Sequence, residues 1–240
     1  MESLSKNKIK WIRSLGLKKN RDAENLFIVE GEKMVLELID LWPKNIELIC
    51  TTDLNFSTKL PSYTTDEKTM RSISSLKTPN KLLAVVKKPQ LKLKQEASFI
   101  VVLDDIQDPG NMGTILRTCD WFNVDQIVCS TNTVDVFNTK VIQSSMGSIF
   151  RTPVTYCDLS VFLEDTELPV YGALLEGENI YKQQTERKGI IILGNEGKGI
   201  SEKIQTYITQ AIHIPRFGGA ESLNVSIAAG IILSEFCREN

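Results

Sequence analysis

Histidine is nearly absent from this chain: His213 is the only one in 240 residues. One imidazole cannot anchor a metal site by itself, so His213 is expected to serve packing or a single hydrogen bond. The five cysteines (Cys50, Cys119, Cys129, Cys157, Cys237) are nowhere closer than ten positions apart. That excludes a C-x-x-C metal or redox pair, and the odd count argues against a disulfide framework. Long hydrophobic runs are missing too. IAAGIIL (227–233) is far too short to span a bilayer, and the opening MESLSKNKIKW is polar and charged, unlike a secretory leader. No repeat or low-complexity tract is visible. What remains is a globular chain expected in the cytoplasm, with no metal and no membrane partner.

Charge is present in both signs but unevenly spread. Residues 1–97 hold 18 Lys and Arg against 12 Asp and Glu, whereas residues 98–240 hold 10 against 18. The basic excess is densest in KNKIKWIRSLGLKKNR (6–21), as a solvated helix or tail or as a surface for nucleic-acid phosphates. A polar, basic segment interrupted by Pro89, KKPQLKLKQEA (87–97), has the composition of a linker. Two domains are therefore expected, 1–97 and 98–240.

Before the linker, EKMVLELIDLW (32–42) has helical periodicity, and IELICTT (46–52) and LLAVVKK (82–88) read as strands. After it, strands and helices alternate. Strands are expected at 99–105, 126–131, 170–177, 189–194 and 211–215, and helices at 113–122, 139–150, 201–209 and 223–236. Nearly continuous apolar strands separated by helices signal a parallel sheet covered on both faces.

The strand at 189–194 runs into LGNEGKGIS (193–201), a glycine-rich turn that resembles a phosphate loop until its spacing is measured. A Walker loop needs G-x-x-x-x-G-K-[ST], but Lys198 is followed by Gly199. A dinucleotide fingerprint needs G-x-G-x-x-G, and here the order is reversed. Glu196 at the centre would repel a phosphate. Taken alone, the stretch is a plain strand-to-helix turn.

Two further segments add chemistry. In DPGNMGTILRT (108–118), Asn111 falls where a helix cap belongs and Gly113 permits close backbone approach. Arg117 follows, with Asp120 as a salt-bridge candidate. In IPRFGGAESLNVSIAAGIILSEF (214–236), the helix from Val225 to Leu233 is apolar or small on every side and must be buried. Its first turn nevertheless carries Ser222, Asn224 and Ser226, more polar groups than one cap needs.

These three segments, in this order, resemble the SpoU/TrmH family of RNA ribose 2′-O-methyltransferases of the SPOUT superfamily, over roughly residues 98–238. KNRDAENLFIVEGEKMVLELI (19–39) is similar to the start of the small substrate-binding domain that many members carry. The resemblance implies an α/β fold: a SPOUT-type parallel sheet with a C-terminal trefoil knot, preceded by a small α/β substrate-binding domain. It implies S-adenosyl-L-methionine as cofactor, lined by Gly194, Asn195, Gly197, Gly199, Ile214 and Leu223, with Leu174 close by. It also implies a homodimer whose sites draw on both chains.

Carried over by motif, Arg117 would act at the attacking 2′-hydroxyl, with Asn111, Glu196, Ser222 and Asn224 orienting it and the ribose. A guanidinium rarely gives up its proton, so an electrostatic role is favoured over that of a base. Cys119 stands where an alanine is common, which touches packing only. The implied substrate is structured RNA, ribosomal in preference to transfer RNA because of the added N-terminal domain. A transfer-RNA 2′-O-methyltransferase and a non-catalytic RNA-binding relative are the alternatives; a nucleotide-dependent kinase fails on the loop spacing.

Overall fold

A computed structural model describes residues 2–90, 92–183 and 186–238. In chain order the elements are β1 (Glu2–Ser3), α1 (Lys6–Ser14), α2 (Lys18–Glu24), β2 (Leu26–Glu30), α3 (Glu32–Leu41), β3 (Ile46–Thr51), β4 (Ser62–Thr64), α4 (Glu67–Ile73), β5 (Leu82–Lys87), β6 (Phe99–Leu103), α5 (Pro109–Trp121), β7 (Gln126–Ser130), α6 (Thr139–Ser145), β8 (Val154–Cys157), α7 (Leu159–Glu164), β9 (Val170–Asn179), β10 (Gly189–Leu193), α8 (Glu202–Gln205), β11 (Gln210–His213) and α9 (Val225–Phe236). Backbone proximity divides the chain into two compact units, Met1–Gln90 with Phe137–Phe150, and Leu91–Val136 with Arg151–Asn240.

The first unit is built on a mixed sheet of order β1-β4-β3-β5-β2. Strand side chains alternate between faces. Leu26 and Ile28, Leu48 and Cys50, and Leu83 and Val85 point to one face, where Ile12 and Leu15 from α1 and Met70 and Ile73 from α4 close the core. The alternate face of β2 carries Phe27, whose ring lies 4.7 Å from that of Phe137, and α3 and α6 pack there. Segment 137–150 therefore groups with this unit. The basic stretch at 6–21 is ordered as α1 and α2, and Lys87 is the last residue in regular structure before β6, Leu91 lying outside the described residues.

In the second unit six strands lie in the order β11-β9-β10-β6-β7-β8, and every pairing is parallel. β6 and β10 are buried at every position, as their apolar runs predict. Strands β7 and β8 extend from one side of β6, whereas β10, β9 and β11 extend from the other. The direction of winding changes between β6 and β10, the place where open parallel sheets leave a crevice at the carboxyl ends of their strands.

Several boundaries differ from the sequence expectation. The helix expected at 139–150 stops at Ser145, because Met146 (φ 51°) and Gly147 (φ 92°) turn left-handed before a short 3-10 turn at 148–150. The one expected at 201–209 covers only Glu202–Gln205, since the chain must already enter β11 at Gln210. No element is expected over 154–164, yet β8 and α7 occupy it. β8 is a four-residue edge strand with one buried side chain, too little apolar signal to read.

All five cysteines are free. Burial pushes the Cys50 thiol up to about 12 and raises that of Cys119, which is fully buried in α5 and serves packing, as expected. Among the described residues no helix is long and apolar enough to cross a membrane, and no group of three His, Cys, Asp or Glu is placed to hold a metal ion. His213 makes one side-chain hydrogen bond, with the Gly177 carbonyl at 2.8 Å.

One buried charge shapes the first unit. Glu30 is 4% exposed; its carboxylate accepts from the hydroxyl of Ser74 and from the N–H (2.8 Å) and hydroxyl (2.5 Å) of Ser75. It thereby closes the loop that leads from α4 to β5. Glu30→Ala should lower the stability of this unit by about 2–3 kcal/mol, read from urea unfolding. An unchanged midpoint would show that these bonds are replaced by water at no cost.

Candidate active site

The crevice between β6 and β10 is organised by two acids that follow β6. Asp104 is 6% exposed, and its carboxylate accepts from the N–H (2.8 Å) and hydroxyl (2.7 Å) of Ser201. It fixes the far end of the glycine turn. Asp105, in the left-handed region at φ 59°, fixes the near end. Its carbonyl and carboxylate both accept from Asn195 Nδ2, at 2.8 and 3.2 Å. The other side-chain atom of Asn195, Oδ1, accepts from the N–H groups of Gly197 (2.9 Å) and Lys198 (3.0 Å). Asn195 and Gly199 exchange two backbone hydrogen bonds, at 3.0 and 2.9 Å.

The N–H groups of residues 197–199 are therefore engaged inside the turn. A phosphate loop needs such donors pointing outward, so the structure excludes phosphate cradling independently of the glycine spacing. The closeness of the turn also explains its glycines. A Cβ on Gly194 would stand 2.2 Å from the Gly199 carbonyl carbon and the Ile200 nitrogen, and Gly199 itself has φ 72°.

Glu196, at the tip, connects this turn to two other segments. Its carboxylate accepts from the N–H groups of Gln107 (3.3 Å) and Asp108 (3.2 Å) and from Asn111 Nδ2 (3.0 Å). Asn111 Oδ1 in turn accepts from Asn224 Nδ2 at 2.9 Å. Asn224 caps α9, its Oδ1 accepting from Ser226 N–H (2.8 Å), the Ser226 hydroxyl (2.6 Å) and Ile227 N–H (3.4 Å). The cap on α9 is thus Asn224, and the helix starts at Val225, so Ser222 lies before it and not in its first turn. Likewise α5 is capped by Asp108, which accepts from Asn111 N–H at 2.8 Å, so Asn111 lies in the first turn and not at the cap. The sequence carried that signal: Asp followed by Pro is a cap with proline at the first helical position.

Burial pushes the Glu196 carboxyl up, but the Asn111 amide and the N–H groups of Asp108 and Gln107 outweigh it and hold the group below the usual carboxylate range. The start of α5 adds its dipole in the same sense.

Beside this network lies an open cleft of about 520 Å³. Leu174 from β9, Gly194 to Gly199 after β10, Ile214 after β11, and Ser222 and Leu223 before α9 all line it. Every position expected at the cofactor is on this wall, and of those expected at the ribose Glu196 and Ser222 are. Asn111 and Asn224 are not on it; they bond to each other, and Asn111 ties the pair to Glu196. Arg117 is elsewhere: it is exposed on α5, lines no part of the cleft and makes no hydrogen bond or ion pair among the described residues. Asn111 is not its partner, and neither is Asp120, which is held by Arg151 at 2.6 Å. Sequence reasoning missed Asp104, Asp105, Gln107 and Asp108. The visible signal was the acid pair directly at the end of a buried strand.

Residues 98–234 match the SpoU rRNA Methylase family. The chain belongs to that family. Residues 6–84 match the MRM3-like substrate binding domain. Among SpoU relatives, the chain is 32% identical over 245 residues to the 23S rRNA (guanosine(2553)-2′-O)-methyltransferase RlmP of Bacillus subtilis, covering 97% of both chains. A TrmH-family protein from Porphyromonas gingivalis superposes with a TM-score of 0.88 at 35% identity, over 97% of this chain and 98% of that one. An rRNA methyltransferase from Sinorhizobium meliloti, solved with AdoMet bound, superposes at 0.86 with 27% identity, over 98% and 95%.

Two outcomes are expected at this SpoU site. Gly194→Ala must displace the turn and should cost about 1–3 kcal/mol, whereas Gly218→Ala, with nothing within 4 Å of its Cβ, should not; equal melting temperatures for both would show that the turn yields freely. Glu196 is lowered when folded, so its bonds contribute fully above the ordinary carboxylate pKa of about 4.3 and are lost as pH falls through the folded value. A carbon NMR titration should place the Glu196 midpoint below that of an unperturbed glutamate side chain, and a midpoint at or above it would contradict the network.

Proposed function

We propose that this chain transfers a methyl group from S-adenosylmethionine to a ribose 2′-hydroxyl of ribosomal RNA, with residues 98–240 as the methyltransferase portion and residues 1–97 as the substrate-binding portion. The observation that carries the proposal is the joining of the three motif segments, through the hydrogen bonds of Glu196, Asn111 and Asn224, beside the cleft. Family membership and the full-length likeness to RlmP support the reaction class, and the AdoMet-bound relative supports the cofactor.

The cleft fits such a cofactor. Its volume lies in the range of small-ligand sites, roughly 300–1,000 Å³. Leu174, Leu193, Ile214 and Leu223 offer an apolar surface for a purine, and Glu196 provides a negative charge suited to a cationic ligand. Bound there, S-adenosylmethionine supplies an electrophilic methyl group on a positively charged sulfur.

Everything else falls to the chain itself. The turn at 194–199, clamped by Asp104 and Asp105, orients the ligand. Glu196 stays ionised at neutral pH and keeps the Asn111 and Asn224 amides in one orientation. Arg117 would hold the RNA phosphate and stabilise the negative charge that develops on the 2′-oxygen as its proton passes to water and it takes the methyl group, the rest of the cofactor leaving as a neutral thioether.

A homodimer with a C-terminal trefoil knot belongs to the same proposal. Arg117 does not line its own cleft, and Leu175 and Leu223 stand exposed on the cleft wall, so a second copy would cover the wall and bring its Arg117 to the ribose. Cytoplasmic location and independence of metal complete the proposal; S-adenosylmethionine affinity by calorimetry should be unchanged in chelator.

Arg117→Ala should lower single-turnover methylation of 23S rRNA transcripts by on the order of a hundredfold or more, with S-adenosylmethionine affinity and melting temperature unchanged. Arg117→Lys should restore little, because a point charge lacks the planar fork. Near-normal turnover in Arg117→Ala would remove this residue from the chemistry.

A further inference from the structure

The basic excess of the first unit is not distributed over its surface. Helices α1 and α4 pack together on one face of the mixed sheet. They carry Lys6, Lys8, Lys10, Arg13, Lys68 and Arg71 against Asp66 and Glu67, whereas α3, on the other face, carries Lys33 against Glu32, Glu37 and Asp40. The first face is strongly cationic, whereas the second, with Lys140 of α6 included, is close to neutral.

Within α1 the arrangement is directional. Lys8 turns inward, its ammonium 4.1 Å from the centre of the Tyr63 ring. Lys6, Lys10 and Arg13 are spaced i, i+4, i+7 and all exposed, so they form one outward stripe. None of the three makes a hydrogen bond or ion pair among the described residues. Three cations elsewhere in the unit are paired, Lys18 and Lys88 with Asp22 and Lys87 with Glu47.

The stripe works against its own helix. Like charges four residues apart repel, and Lys6 and Lys8 occupy a first turn with no acid, where the helix dipole disfavours cations. No large hydrophobic side chain is exposed on α1 or α4. Protein interfaces are anchored by buried aromatic and apolar residues and membrane-surface helices by an apolar face; this face has neither. A polar, cationic surface without apolar anchors fits a phosphate backbone.

We infer that the α1–α4 face of the first unit, with the Lys6–Lys10–Arg13 stripe at its centre, is the surface on which RNA phosphates dock. The inference rests on the proposed function only in taking the ligand to be RNA.

The test uses the full chain, a transcribed 23S rRNA fragment as probe, and fluorescence anisotropy over a salt series. K6Q/K10Q/R13Q is compared with K33Q/K44Q, which removes cations outside the α1–α4 face. The stripe variant should bind on the order of tenfold more weakly at about 0.1 M salt and lose about 2–3 from the slope of log affinity against log salt. The control should match the wild type in both. Removing the repulsion leaves α1 at least as stable, so a fold defect is not expected, and melting curves check this. If the wild type binds and methylates the RNA but the stripe variant binds equally well, the assigned face is wrong while the enzymatic proposal stands. If the wild type does not bind RNA at any salt, both fall together. Unchanged RNA affinity with lost binding to phosphatidylserine vesicles would assign the stripe to a membrane and overturn the inference.

Discussion

The Glu196 carboxylate is the interaction on which the site depends. Its two oxygens collect donors from the start of α5 and from Asn111, and through Asn111 they reach the cap of α9. The direction of this chain is fixed at both ends. The amides of α9 require the oxygen of Asn224, so its NH₂ must face Asn111; Asn111 must then present its own NH₂ to an acceptor, and only an ionised carboxylate satisfies that demand together with two backbone donors. The lowered pKa of Glu196 is the energetic expression of this arrangement. Segments far apart in the chain are thereby tied together beside the cleft by hydrogen bonds as well as by the packing of α5 on α9.

That constraint also decides what the glycine turn can be. Asn195 takes the amides of Gly197 and Lys198 for itself, and Asp105 takes the NH₂ of Asn195. A turn satisfied from within is rigid before any ligand arrives, so less ordering remains to oppose binding. With the amides of residues 197–199 turned inward, recognition shifts toward shape, apolar surface and the Glu196 charge.

Much of this was legible in the sequence, and what was not has a physical cause. The buried parallel strands announced themselves by unbroken apolar runs, and the failed loop spacings correctly ruled out a phosphate. Asp104 and Asp105 did not stand out because their partners lie 97 and 90 positions away, and nothing in a linear pattern pairs an acid with a distant serine or asparagine. Asn111 was misplaced at the cap because its polarity was weighed without the Asp-Pro that precedes it. The grouping of 137–150 with the first unit reflects packing, including the Phe27–Phe137 and Trp42–Phe150 ring contacts, which no periodicity announces. Composition disclosed that residues 1–97 are basic; only the alternation of β2, β3 and β5 shows which face of the sheet receives the charge.

Helix α5 joins two tasks that its geometry keeps apart. Asn111 and Arg117 are six residues apart, which on a helix turns their side chains roughly 120° from one another. Asn111 faces its own chain, bound to Glu196 and Asn224, so Arg117 must face away from them, beside exposed Thr114 and Trp121. A single chain can thus build the wall that holds a cofactor and still lack the cation that a ribose oxyanion requires. Under the proposed function, the brace is satisfied within one chain while the charge is offered outward. The chemistry would then wait on assembly: a cleft can hold its cofactor alone, but the methyl acceptor meets Arg117 only where a second α5 is brought alongside.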